Sequence, residues 1–161
     1  MMTDSSTYRS AVAALTTLGG LCGHHGGDYL VQPDRCAQLK QQRTREGRTA
    51  LAIHAVTYAA TQAATKSAIY RVGGLRVPAL AQLAGAVTEG LLHAVIDDGR
   101  LLKKFAEATG KKRFHDLADH GVNGRMLLDQ AAHHQLQIPA GTAVTVAVAA
   151  LIIARRTRQG L

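Results

Sequence analysis

The chain has 161 residues, 47% of them hydrophobic but only 4% aromatic and none Trp, enough for one domain with a real core and too few for two. Its apolar mass is therefore Ala, Leu and Val, which pack helices closely and make poor sheet sandwiches. A formal charge of +8 with a pI near 10.0 restricts charge-driven partners to polyanions and anionic lipid headgroups, and two cysteines, Cys22 and Cys36, without a CxxC pair exclude a disulfide framework and read as reduced thiols.

The first residues carry only Arg9 ahead of a short apolar run and no small-residue cleavage site, so the run reads as mature fold, not as a cleaved signal peptide. A first helix is expected over 10–32, free of Lys and Arg and stopped by Pro33. Residues 33–48 form a basic, partly helical connector with Arg35, Lys40, Arg43, Arg45 and Arg48. A second helix spans 49–70, ended by Gly73 and Gly74. Pro78 opens a third at 78–98, at a tolerated first-turn position.

Residues 99–125 make a second basic connector containing short helices, with Arg100, Lys103, Lys104, Lys111, Lys112, Arg113 and Arg125. The fourth helix, 126–155, has no charged residue from Gln130 to Ala154, long enough to cross a hydrocarbon layer of roughly 30 Å. Pro139 is expected to kink it. The Val and Thr after Pro139 would also suit a strand, but length and Ala content favour helix. The pattern predicts an all-α, four-helix up-down bundle forming one domain over 1–161.

A mean hydropathy of −0.01 is low for a multispanning protein, so charge placement has to separate a membrane bundle from a soluble one. The two connectors, on one side of an alternating bundle, hold twelve of the nineteen Lys and Arg residues. That bias fits an inner or cytoplasmic membrane protein with both connectors facing the cytoplasm and lipids as partners; a soluble cytoplasmic bundle is the alternative. Arg155, Arg156 and Arg158 depart from the rule at the opposite end, so the fourth segment is expected to be shorter, tilted or re-entrant.

His24 and Asp28, His93 and Asp97, and Asp129 and His133 are each four residues apart, so each pair shares a helical face. Alternating helices bring these pairs and His54 to one end of the bundle, where isolated ionisable groups would be costly. Imidazole nitrogens and carboxylate oxygens on neighbouring helices suit Zn, Mn or Fe. The candidate ligands are His24, His54, His93, Asp129 and His133, with Asp28 or Asp97 as general base. The plainer reading is a hydrogen-bonded polar network with no metal. His25 and His134 lie about 100° around their helices from their neighbours and are bystanders or alternative ligands; His115 and His120 are expected to be solvated, and Cys22 to pack in the core.

"HHGGDYLVQPDRCAQLK", through His24, Asp28, Tyr29, Gln32 and Lys40, resembles the opening signature of a bacterial and phage helical membrane family, domain of unknown function 3307. The same family shows a His on its second helix, like His54, then H-x-x-x-D, like His93 and Asp97, then D-Q-x-x-H, like Asp129, Gln130 and His133. The likeness runs in order from about residue 22 to 138. It implies a multi-helix membrane protein and no particular reaction.

Three functions compete. The first is a metal-dependent hydrolase at the cytoplasmic membrane face, acting on a lipid-linked, peptide or phosphate substrate. The second is a noncatalytic membrane scaffold whose buried network fixes helix register. The third is a nucleic-acid-binding protein using "QQRTREGR" and "ATGKKRFHD"; the connectors lack aromatic stacking platforms, which argues against it.

Overall fold

The computed structural model describes residues 5–159, and these form an all-α protein. Helix α1 (Ser5–His25) runs into a π-helical segment, Gly26–Val31, and a short α2 (Asp34–Leu39) follows. The long α3 (Arg45–Val72) begins at Thr44, whose side chain accepts from the Gly47 amide and so caps the helix. Helix α4 (Ala79–Asp97) starts just after Pro78 and stops at Gly99, whose φ of 75° suits a residue without Cβ. Next come α5 (Arg100–Ala108), α6 (Lys112–His115) and a two-residue antiparallel ribbon, β1 (Ala118–Asp119) with β2 (Val122–Asn123). Helix α7 (Gly124–Ala132), capped by Asn123, continues through a second π segment, His133–Gln137, into α8 (Ile138–Arg158).

The observed helices therefore start earlier than expected at 10 and 49, and the second connector adds a β ribbon to its short helices. The segment after Pro139 is helical, not a strand. Pro139 supplies no N–H, and the wider π turn just before it is where the helix absorbs the missing hydrogen bond.

Helix α1 packs against α3 and α8, and α4 packs against the same two. Small residues set the spacing. A Cβ on Gly23 would lie 3.1 Å from the Gln62 Cα, and one on Gly85 would lie 3.1 Å from the Gly141 carbonyl oxygen, so α1 meets α3 and α4 meets α8 almost backbone to backbone.

The interior is graded along the helices. At one end Val12, Tyr70, Val77, Ala81 and Ala149 form an apolar cluster. In the middle Lys66 and Glu89 form a buried ion pair. Beyond it the other end encloses a polar cluster, in which His24, His54, His93, Asp97, His133 and Gln137 are fully buried. The outside is the reverse. On α4 the buried stripe is Gly85, Glu89, His93 and Asp97, while Leu83, Val87, Leu91 and Val95 on the opposite face are 46–66% exposed. Helix α4 and the continuous run Gly124–Arg158 are each long and apolar enough to cross a membrane, with mean hydropathies of 1.4 and 2.0.

A candidate metal centre where the four long helices meet

The spacing of four that puts His93 and Asp97 on the buried stripe of α4 also governs α3, whose enclosed residues are His54, Tyr58, Gln62, Lys66 and Tyr70. The first π segment carries Asp28, and the second begins at His133. Both π turns flank the polar end, a placement common at functional sites.

The seven residues singled out in the sequence converge there. Asp97 is the hub. Its Oδ2 lies 3.0 Å from His54 Nε2, 3.1 Å from His93 Nε2 and 2.9 Å from Lys40 Nζ, and its Oδ1 lies 3.4 Å from His133 Nε2. Asp28 Oδ1 sits 3.4 Å from His54 Nε2 and 3.6 Å from His93 Nε2. Asp129 Oδ2 sits 3.4 Å from His133 Nε2. Three groups have ligand atoms within 4.8 Å of one another and could hold a metal ion: Asp28, His54 and His93; Asp97, Asp129 and His133; and His24, His93 and His133.

Hydrogen-bond logic assigns the protons. Gln130 must turn its amide N–H toward the Asp28 carboxylate, 3.2 Å away, so its oxygen accepts from His24 Nε2 at 2.8 Å. His24 Nδ1 is then an acceptor and takes the Tyr58 O–H at 3.1 Å. The Tyr58 oxygen accepts N–H groups from Gln62 and Gln137, at 2.6 and 2.7 Å. With its nitrogen so committed, Gln137 offers its oxygen to Nδ1 of both His93 and His133, and each of these imidazoles must donate from that nitrogen. A neutral imidazole carries one N–H. In a neutral ring Nε2 of His133 then turns a lone pair toward Asp97 and Asp129, and Nε2 of His93 lies 2.9 Å from His54 Nε2 as well as 3.1 Å from Asp97 Oδ2.

The cluster thus has a surplus of acceptors. Asp28 Oδ1, Asp97 Oδ1, Asp129 Oδ1 and His133 Nε2 are buried without a hydrogen-bond partner. Lys40 Nζ is the cationic group facing these acceptors, and His54, whose Nδ1 has no partner, can carry its single proton on either nitrogen. Burying so many acceptors against one another is unfavourable unless a cation or extra protons lie between them.

His24 belongs to one of the metal-competent groups, yet both its ring nitrogens are taken by Tyr58 and Gln130. His25 binds the Leu21 carbonyl and His134 stands beside it, outside those three groups. His120 is exposed as expected, whereas His115 is not solvated: its side chain is 10% exposed and contacts Asp116. Cys22 is exposed and Cys36 is the buried thiol, the reverse of a core role for Cys22, because Cys22 lies on the outer side of α1. Tyr58, Gln62 and Gln137 escaped sequence reasoning; the four-residue series His54, Tyr58, Gln62, Lys66 was the available signal for the first two.

A cavity of about 410 Å³ opens onto the cluster. Asp28, Asp129, Gln130 and Lys40 form its inner wall, and Arg125 and Tyr29 belong to its lining.

No curated protein and no solved structure matches the chain. The sequence model of a family described as "Protein of unknown function (DUF3307)" matches residues 15–159, a span that contains every residue of the cluster. The chain belongs to the DUF3307 family.

Proposed function

We propose that the protein is a membrane-embedded four-helix bundle carrying a divalent transition-metal centre, and that the centre hydrolyses an anionic ester at the cytoplasmic membrane face. The observation that carries the metal is the Gln137 oxygen set between Nδ1 of His93 and Nδ1 of His133, which turns both Nε2 atoms toward carboxylate oxygens. Zn, Mn or Fe suits that mixed nitrogen and oxygen set. His54, His93, His133, Asp28, Asp97 and Asp129 are its ligands. His24, with Gln130, positions Asp28.

The membrane reading rests on the inverted polarity of α4, acidic and imidazole groups inside and leucines and valines outside, which suits lipid as the outer solvent. Helix α4 is about 28 Å long, near the hydrocarbon thickness. The run Gly124–Arg158 is about 52 Å, so it crosses the layer and still projects α7 beyond it. His93 and Asp97 close α4, which puts the cluster at the membrane edge. Helix α5 adds an interfacial surface, with Leu101 and Phe105 exposed beside Lys103 and Lys104.

Hydrolysis is supported by access. The cavity gives water and substrate a route to Asp28 and Asp129, and Lys40 and Arg125 on its wall suit a phosphate-bearing substrate. A bound divalent ion would lower the pKa of a water toward neutral. A carboxylate oxygen of Asp28 or Asp129, on the cavity wall, would hold the proton that water gives up as its oxygen bonds to the ester centre, and would pass it to the leaving oxygen as that bond breaks.

The test is full-length protein purified in detergent after salt-resistant membrane extraction, stripped with chelator and reloaded with zinc or manganese. Metal-dependent cleavage of a chromogenic phosphodiester, lost in Asp28→Asn, is expected. Release from membranes by high salt alone would refute the embedded bundle. Bound metal without cleavage would favour the noncatalytic scaffold, and absence of bound metal would refute the centre.

A further inference from the structure

Asp97 points its two oxygens at different imidazoles. Oδ2 faces His54 and His93, whereas Oδ1 faces His133, and Asp97 is itself fully buried. The remaining carboxylates divide the same way: Asp28 Oδ1 approaches His54 and His93, and Asp129 Oδ2 approaches His133. Two of the metal-competent groups, Asp28 with His54 and His93, and Asp97 with Asp129 and His133, share no residue. One ion cannot satisfy both, because an ion drawn to Asp28 and His54 leaves the lone pair of His133 and the oxygens of Asp97 and Asp129 facing each other.

We infer that the centre holds two divalent ions bridged by the Asp97 carboxylate, one on Asp28, His54 and His93, the other on Asp129 and His133. The inference rests on the metal reading above and deepens it. Each ion would be held by one oxygen of Asp97, as the contacts of Oδ2 with His54 and His93 and of Oδ1 with His133 allow. The buried orphan atoms support both halves: Asp28 Oδ1 belongs to the first, and Asp97 Oδ1 and His133 Nε2 belong to the second. Gln137 couples the halves, since its oxygen accepts from an imidazole of each. The three carboxylates and Lys40 carry a net charge of −2, which one divalent ion balances. The second ion leaves a charge of +2, which hydroxide together with a singly charged phosphate ester would cancel, and Asp28 and Asp129 on the cavity wall open both halves to them.

The experiment is manganese reconstitution of the stripped full-length protein in detergent, read by metal analysis and electron paramagnetic resonance. The expected result is two ions per chain, with an exchange-coupled spectrum at half the hyperfine spacing of an isolated ion. Asp129→Asn should retain one ion with an isolated-ion spectrum. Because that variant could misfold, its helicity is checked by circular dichroism, and the wild-type spectrum decides on its own. One ion per chain with an isolated spectrum overturns the pair but leaves the single centre standing. No bound ion in wild type overturns both.

Discussion

Replacing Gln137 by Leu removes one oxygen that holds two imidazoles. In the native protein that oxygen accepts Nδ1–H from His93 and His133, and all three side chains are fully buried. Leu fills similar space and leaves two enclosed donors without acceptors. At about 1–3 kcal/mol for each unsatisfied donor, the metal-free protein should lose about 2–6 kcal/mol. For a domain of this size that corresponds to a melting temperature lower by roughly 4–24 °C. Tyr58 still receives the Gln62 amide, so the rest of the chain of hydrogen bonds persists. Freed to rotate, the two rings should bind zinc about 10–100-fold more weakly, the usual effect of removing a group that orients a ligand. Gln137→Glu keeps an acceptor oxygen for both rings but loses the N–H that Tyr58 accepts, so it should hold zinc better than Gln137→Leu while still losing stability. The assays are competition against a chromogenic zinc chelator and thermal unfolding by circular dichroism. Zinc affinity unchanged in Gln137→Leu would refute the argument that Gln137 aims the lone pairs.

Other perturbations probe the packing, the protons and the connector. A Cβ on Gly141 would lie 2.2 Å from Glu89 Oε1 and 2.5 Å from its Cδ, with Glu89 pinned by Lys66, whereas one on Gly90 would meet Ala59 Cβ at an ordinary 3.4 Å. Gly141→Ala should therefore cost about 1–3 kcal/mol through overpacking, and Gly90→Ala should be neutral or stabilising by about 0.5–1 kcal/mol; equal melting temperatures would contradict the close α4–α8 approach. Bound metal should be released on acidification through the imidazole range near 6.5, with more than one proton taken up per ion because His54, His93 and His133 all compete. A pH-independent affinity between about 5 and 8 would exclude histidine ligation. Replacing Lys103, Lys104, Lys111, Lys112 and Arg113, all exposed, with Gln should leave the fold intact. The Lys112–Asp116 contact, which with His115 holds the Asp116 carboxyl down at about 2, is solvent-exposed and contributes little; failure of the variant to accumulate would show that the connector is structural.

The spacing of His24 with Asp28, His93 with Asp97 and Asp129 with His133 was legible because a helix repeats a face every three to four residues, and alternation of long apolar segments placed those faces at one end. Lys40 and Gln130 were legible only through the family signature. Tyr58 and Gln137 were hidden for a physical reason: a phenol and an amide are common on any helix, and their role here depends on distant partners, 34 residues away for Tyr58 with His24 and 79 for Gln137 with Tyr58. The π turns were also hidden. They add a residue to a turn without any composition of their own, and the apolar pattern around Pro139 reads the same with or without them.

The central claim is that bare imidazole and carboxylate groups at this end of the helices coordinate a divalent transition metal. X-ray absorption at the zinc edge, on reloaded full-length protein in detergent, reads that coordination directly. The account predicts a shell of nitrogen and oxygen neighbours near 2.0–2.2 Å with the outer-ring scattering of more than one imidazole. It further predicts that this scattering falls in His93→Ala and His133→Ala and is unchanged in His120→Ala. A sulfur shell, or oxygen neighbours without imidazole, would contradict it.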